Sequence, residues 1–214
     1  RPDALLLAAM LPRADVRDRL VTDLADSLTG LPQGARLGTS SPRRAAQARR
    51  IRPDLEIVPL RGNVDTRLSK LKTGEADATM LAAAGLDRLG RPDVGCAIEI
   101  DEMLPAPAQG AVGIEVPKGN AEAMFRVAAI DHRATSRAVF AERALLLALG
   151  GTCHTPVAAL AVEDGAGWWL RGEILSPDGS EYVTGDRRAD AAALDAAARD
   201  LGAELLSRAS PALR

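Results

Sequence analysis

Aromatic side chains are nearly absent from these 214 residues: Phe125, Phe140, Trp168, Trp169 and Tyr182 are all there are. The core must therefore be built from Leu, Ala, Val and Ile, and the scarcity argues against a base-stacking platform for single-stranded nucleic acid. Lysine is scarce as well, since only Lys70, Lys72 and Lys118 stand among 27 basic residues. A single arginine is thus uninformative, and only arginine placement carries meaning. Neither sign of charge dominates. The net is −2, so the molecule as a whole does not attract polyanions. Two cysteines, Cys96 and Cys153, are too few for a disulfide scaffold and fit a reducing cytoplasm. With two histidines, His132 and His154, at spacings that match no zinc pattern, a structural metal is not expected. The apolar run 5–11 is too short to span a membrane. Asp3 before it, and no small-residue cleavage site after it, argue against a signal peptide. Walker loop, dinucleotide fingerprint and nucleophile elbow are all missing.

What is present is a pattern. From residue 4 to about 117, short apolar runs alternate with helical segments. Residues 5–10, 36–38, 56–60, 77–81, 97–100 and 111–116 read as strands, and 16–28 as loop with a short helix. Ser40-Ser41-Pro42 starts a helix over 43–51 that stops at Arg52-Pro53-Asp54. Asn63 caps a second, ended by Gly74, and 83–89 forms a third. Such alternation predicts a mainly parallel sheet with helices on its faces. The Pro-rich segment 104–109 reads as an inter-domain hinge, followed by helices over 121–130 and 135–149. The last third changes character. Strands 157–162, 168–175 and 181–184, joined by Asp164-Gly165 and Asp178-Gly179 turns, precede a long helix over 189–207. That order predicts a small α+β unit with a three-stranded antiparallel sheet.

Three constellations carry chemistry. In Gly38-Thr39-Ser40-Ser41-Pro42-Arg43-Arg44 a strand ends, hydroxyls cluster and a helix begins, an arrangement suited to an anion. Two arginines in the first turn oppose the helix dipole unless an anion sits there. Leu60-Arg61-Gly62-Asn63-Val64-Asp65-Thr66-Arg67 repeats this logic at the next strand end, and Arg88 follows the third. In open parallel sheets ligands bind at the carboxyl ends of strands, and the arginine fork suits carboxylates or phosphates. Gly150-Gly151-Thr152-Cys153-His154-Thr155-Pro156 places a cysteine on a loop after a helix. Cys96 reads as a core residue, and Asp101, Asp131 and Glu142 as ordinary helix or turn residues. No general acid declares itself.

Taken in order and spacing, these motifs resemble the porphobilinogen deaminase (hydroxymethylbilane synthase) family, with Leu104-Pro105, Gln109-Gly110-Ala111-Val112-Gly113-Ile114-Glu115 and Ala141-Glu142-Arg143 extending the match. The resemblance implies a transferase of tetrapyrrole biosynthesis, joining four porphobilinogens head to tail with loss of ammonia. It implies a dipyrromethane cofactor held by a thioether to Cys153, with Thr39, Ser41, Arg43, Arg44, Arg61 and Arg88 binding it. Arg61, Arg67 and Gln109 would bind porphobilinogen and the growing polypyrrole. The implied fold is a periplasmic-binding-protein-like α/β domain with a parallel or mixed sheet, helices on both faces, and a small C-terminal α+β domain.

The family's His-Ser-x-Lys-Asp motif, whose Asp is the catalytic acid, has no match, nor do its early cofactor-binding Arg and Ser. Thr152 and His154-Thr155 also depart from the usual Gly before and Gln-Val after the cysteine. The expected division is 1–11 and 112–132 as remnants of domain 1, 12–111 as domain 2 and 133–214 as domain 3. The 214 residues alone are then expected to be inactive, and the full-length protein monomeric and cytoplasmic, without nucleic-acid or membrane partners. A non-catalytic anion-binding module of periplasmic type is the competing expectation.

Overall fold

The apolar run near the start of the chain forms β1 (Leu5–Met10), in a computed structural model that describes residues 3–151, 155–165 and 167–213. A strand, β2 (Asp18–Val21), follows where loop and a short helix were expected. Its buried positions alternate, with Asp18 and Leu20 inside. Two charged residues in four hide that alternation from hydropathy. Next come β3 (Arg36–Gly38), α1 (Pro42–Ile51), β4 (Glu56–Val58), α2 (Val64–Lys72), β5 (Ala78–Ala82), α3 (Ala83–Arg88) and the two-residue β6 (Cys96–Ala97).

These strands form one sheet in the order β4-β3-β5-β2-β6. β3 runs parallel to β4 and β5, while β2 is antiparallel to β5 and β6. The sheet is therefore mixed rather than mainly parallel. The step from β3 through α1 to β4 goes one way, and the step through α2 to β5 comes back across β3. Right-handed crossovers then set α1 and α2 on opposite faces. Because β3, β4 and β5 are parallel, their carboxyl ends share one edge. The antiparallel register Asp18↔Ala82 brings the first residue of β2 to that same edge. Cys96 is not the core residue expected. It lies half-buried on the outermost strand, its Sγ 3.8 Å from Asp26 Oδ1.

β7 (Gly113–Pro117) pairs with β1 in a separate antiparallel ribbon, from Leu5↔Pro117 to Met10↔Gly113. α4 (Ala121–Ala128), capped by Asn120, packs against both strands. The rest of the chain is α5 (Arg133–Ala148), β8 (Val157–Glu163), β9 (Trp168–Leu175), β10 (Tyr182–Ala189) and α6 (Leu194–Arg208). The three strands are antiparallel in the order β10-β9-β8, as the Asp-Gly turns predict. One face packs Leu170 and Ile174 against Leu145 of α5 and Leu201 and Leu205 of α6. From this sheet Ala158 and Leu160 also meet Leu104, with Val16 and Ile100 alongside, which seats it on the segments entering and leaving the larger sheet. The last helix starts later than expected. β10 stays paired with β9 as far as Ala189↔Trp168, and Asp190 Oδ1 then accepts the N–H groups of Ala192 and Ala193 at 2.9 and 2.8 Å. That turn delays α6 to Leu194.

Candidate anion-binding site

α1 begins where local chemistry places it. Ser41 Oγ accepts the Arg44 N–H at 3.4 Å, Pro42 is the first helical residue, and Thr39 Oγ1 accepts the Ser41 N–H at 3.1 Å. The anion demanded by two first-turn arginines is met within the chain. Arg43 Nη2 donates to Asp18 Oδ2 at 2.7 Å, and Arg44 Nε and Nη2 donate to Asp18 Oδ1 at 3.1 and 2.7 Å. Asp18 is 2% exposed. Burial pushes its pKa up, but Arg43 and Arg44 more than offset this and bring it to about 2. Burial lowers the pKa of Arg43, with Asp18 acting against it.

The other donors of this pair are also placed. Arg43 Nη1 reaches Leu104 O at 2.8 Å and Gln47 Oε1 at 3.1 Å, and Arg44 Nη1 reaches Met80 O at 2.9 Å. Gln109 joins the network. Its Nε2 donates to Val16 O at 2.7 Å and to Asp18 Oδ1 at 3.0 Å, while its Oε1 accepts from Arg43 Nη2 at 3.3 Å. Arg43 keeps one buried donor, Nε, with no partner among the described residues.

The remaining arginines are open. After β4, Arg61 is exposed and has no hydrogen-bond or ion-pair partner among the described residues. Asn63 Oδ1 caps α2 at the Thr66 N–H, 2.9 Å. Arg67, half-buried one turn in, donates through Nε to Gly62 O at 2.9 Å. Burial and then the charge of Arg44 lower its pKa, so Arg67 lies within the field of the Asp18 cluster. Arg88, exposed at the end of α3, donates to Gly110 O at 2.8 Å. Arg43 and Arg44 follow β3, Arg61 and Arg67 follow β4, and Arg88 follows β5, the three parallel strands whose carboxyl ends share one edge. What the spacing does not show is that Arg43 and Arg44 spend most of their donors inside the chain.

Cys153, with Thr152 and His154, lies outside the described residues. Its neighbour Thr155 lines a cavity of about 300 Å³ together with Ser41, Pro42, Arg43, Leu146 and Val157. The end of the cysteine loop therefore faces the start of α1.

Two acidic residues hold structural roles that the sequence reading did not assign. Asp18 is one; its signal is the alternation Val16, Asp18, Leu20. Glu142, expected to be ordinary, is fully buried. It accepts Arg13 Nη1 and Nη2 at 2.6 and 3.0 Å, the Ala108 N–H at 2.7 Å and the Ala161 N–H at 2.9 Å. Burial raises its pKa, while Arg13 and the two N–H groups hold it down. Its place three residues from both Val139 and Leu145, on an apolar helix stripe, is the signal that marks it.

The fold is a mixed α/β sheet with arginines following its parallel strand ends, and a small α+β unit seated beside it through Leu104, Ala158 and Leu160. Comparison with known proteins sharpens this. The family model described as "Porphobilinogen deaminase, dipyromethane cofactor binding domain" matches residues 1–125, and "Porphobilinogen deaminase, C-terminal domain" matches residues 136–209. Porphobilinogen deaminase of Sphingopyxis alaskensis is 54% identical over 218 residues, covering 100% of this chain and 68% of its own length. That of Paracoccus denitrificans is 49% identical over 210 residues, covering 98% of this chain and 67% of its own. The chain belongs to the porphobilinogen deaminase family, a family of transferases. It spans about two thirds of the length of these relatives. Among solved structures, an amino-acid ABC transporter extracellular-binding protein from Bacillus subtilis matches 56% of this chain and 51% of its own at 15% identity, with a TM-score of 0.31, too low to support any argument.

Proposed function

We propose that this chain serves tetrapyrrole biosynthesis, in the stepwise condensation of four porphobilinogens into hydroxymethylbilane with release of ammonia, on a dipyrromethane held by Cys153. The observation that carries the reading is the cavity between Thr155, two residues after Cys153 in sequence, and the start of α1. A cofactor attached at Cys153 would meet the hydroxyl of Ser41 and the guanidinium of Arg43, whose buried Nε has no partner among the described residues. The residues present fit a carboxylate-bearing group. Bound there, dipyrromethane supplies the pyrrole end to which porphobilinogen units are added.

The protein's own contribution is grip. Thr39, Ser41, Arg43, Arg44, Arg61 and Arg88 hold the cofactor carboxylates, and Arg61, Arg67 and Gln109 hold those of the incoming unit. Asp18 keeps Arg43, Arg44 and Gln109 in place without neutralising the edge, because Arg61, Arg67 and Arg88 remain open to it. Each added ring brings an acetate and a propionate, so an edge with several forks serves a lengthening chain better than one deep pocket. The three separate sheets support a division into 1–11 with 112–132, 12–111, and 133–214. The 214 residues by themselves contain no counterpart of the family's acidic His-Ser-x-Lys-Asp motif and are expected to make no hydroxymethylbilane. The working protein is read as a cytoplasmic monomer. No helix among the described residues is long and apolar enough to cross a membrane.

The test is intact mass after incubation with porphobilinogen. A covalent adduct of dipyrromethane mass, absent from Cys153→Ser, is expected. An adduct that persists in Cys153→Ser would overturn the assignment, as would full-length protein that carries none.

A further inference from the structure

Gln47 lies one turn after Arg43 on α1 and is completely buried. Its two amide ends point to different units of the protein. Oε1 accepts from Arg43 Nη1 at 3.1 Å, and Nε2 donates to Glu173 Oε2 at 2.6 Å. Glu173 belongs to β9 of the C-terminal sheet, is 1% exposed, and pairs through its other oxygen with Arg50. From Arg43 the chain of bonds runs on to Asp18, and from Asp18 to Arg44 and Gln109.

We propose that Gln47 and Glu173 are positioning residues for Arg43, coupling the C-terminal unit to the anion site through one buried hydrogen-bonded chain. The inference rests on reading Arg43 as a carboxylate-binding residue. Its logic lies in donor and acceptor types. Glu173, paired with Arg50 through one oxygen, presents the other as an acceptor, so Gln47 turns its NH₂ toward β9. The amide oxygen is then left facing Arg43, which only donates. Remove Glu173, and Gln47 is free to flip, setting a donor against the Arg43 fork. Buried polar chains of this kind specify one arrangement because any unpaired member is costly.

The contact is not merely glue between units. Arg171 Nη1 to Asp101 Oδ1 at 2.6 Å, Arg49 Nη1 to Pro177 O at 3.2 Å, and the packing of Leu160 on Leu104 hold the same interface. Gln47, by contrast, runs from that interface to Arg43. The C-terminal unit carries Cys153 in its polypeptide, so its seating on α1 and the orientation of Arg43 are set together.

The experiment measures porphobilinogen binding by calorimetry on the full-length protein, alongside the melting temperature. Gln47→Leu and Glu173→Leu are each expected to weaken binding about five- to tenfold, and the double variant no more than Gln47→Leu alone, since both break one chain. Glu173→Gln, whose amide oxygen still accepts from Gln47, restores most of the affinity. Asp101→Ala removes the carboxylate partner of Arg171 at the same interface and leaves binding unchanged. If Leu at 173 does not fold, Gln47→Met breaks the chain from the other side and is expected to give the same loss. Wild-type affinity in Gln47→Leu or Gln47→Met overturns the inference, as does equal weakening by Asp101→Ala. An Arg43→Gln protein that binds as wild type would refute the reading of the anion site and this inference with it.

Discussion

Arg13 and Glu142, 129 residues apart in the chain, meet in a two-point fork with Nη1 on Oε1 at 2.6 Å and Nη2 on Oε2 at 3.0 Å. The same carboxylate accepts the N–H groups of Ala108 and Ala161. One side chain of α5 therefore ties together the segment after β1, the Pro-rich segment and β8. Glu142→Ala would strip the carboxylate from both Nη groups of a largely buried guanidinium and leave two N–H groups unpaired. The expected cost is about 3–5 kcal/mol, read from the urea midpoint. A loss below about 1 kcal/mol would show that the fork does not hold these segments.

Acid should act through Asp18. Its folded pKa of about 2 lies below the ~3.9 of an unfolded aspartate. The folded state therefore binds its proton more weakly, and the stability it contributes is fully present above the unfolded pKa and lost as pH falls through the folded one. Stability of the native protein should drop between about pH 5 and about pH 2. Asp18→Asn should be less stable at neutral pH and flatter across that window. Parallel curves for the two proteins would contradict this.

The two Asp-Gly turns should differ. Gly165 and Gly179 both have positive φ, 56° and 74°, so alanine at either costs about 1–2 kcal/mol in backbone strain. A Cβ at Gly165 meets open space, whereas one at Gly179 would lie 2.4 Å from Ala46 O and 2.8 Å from Arg50 N of α1. Gly179→Ala should cost a further ~1–3 kcal/mol. Equal melting temperatures for the two variants would mean that this turn does not press on α1.

Arg61 should separate binding from stability. It is exposed and has no partner among the described residues, so Arg61→Ala should alter stability by less than about 0.5 kcal/mol. Losing one fork for a carboxylate should weaken porphobilinogen binding by about 1.5–3 kcal/mol and reduce its dependence on salt. A variant that binds as wild type would remove Arg61 from the site.

Residues close in sequence were legible because the forces involved are local. The cap of Ser41, the stop at Pro53, the cap of Asn63 and the hairpin glycines act within a few residues, and α1, α2 and the three C-terminal strands follow from them. The arginines after β3, β4 and β5 could be placed on one edge because a parallel sheet aligns strand ends. β2 was missed since Asp18 and Arg19 break its apolar pattern, and the start of α6 because alanine favours helix while pairing with β9 kept that stretch extended.

By itself, then, the sequence determined that this chain is an α/β protein with a C-terminal α+β unit and with arginines following its parallel strand ends. Tertiary structure alone decided which arginines stay open. Asp18 reaches Arg44 across 26 residues, Glu173 reaches Gln47 across 126, and Arg13 reaches Glu142 across 129. A buried charge must find its partner wherever the fold brings one. No local pattern records that partner, because it is chosen by the cost of leaving the charge unpaired once water has been excluded.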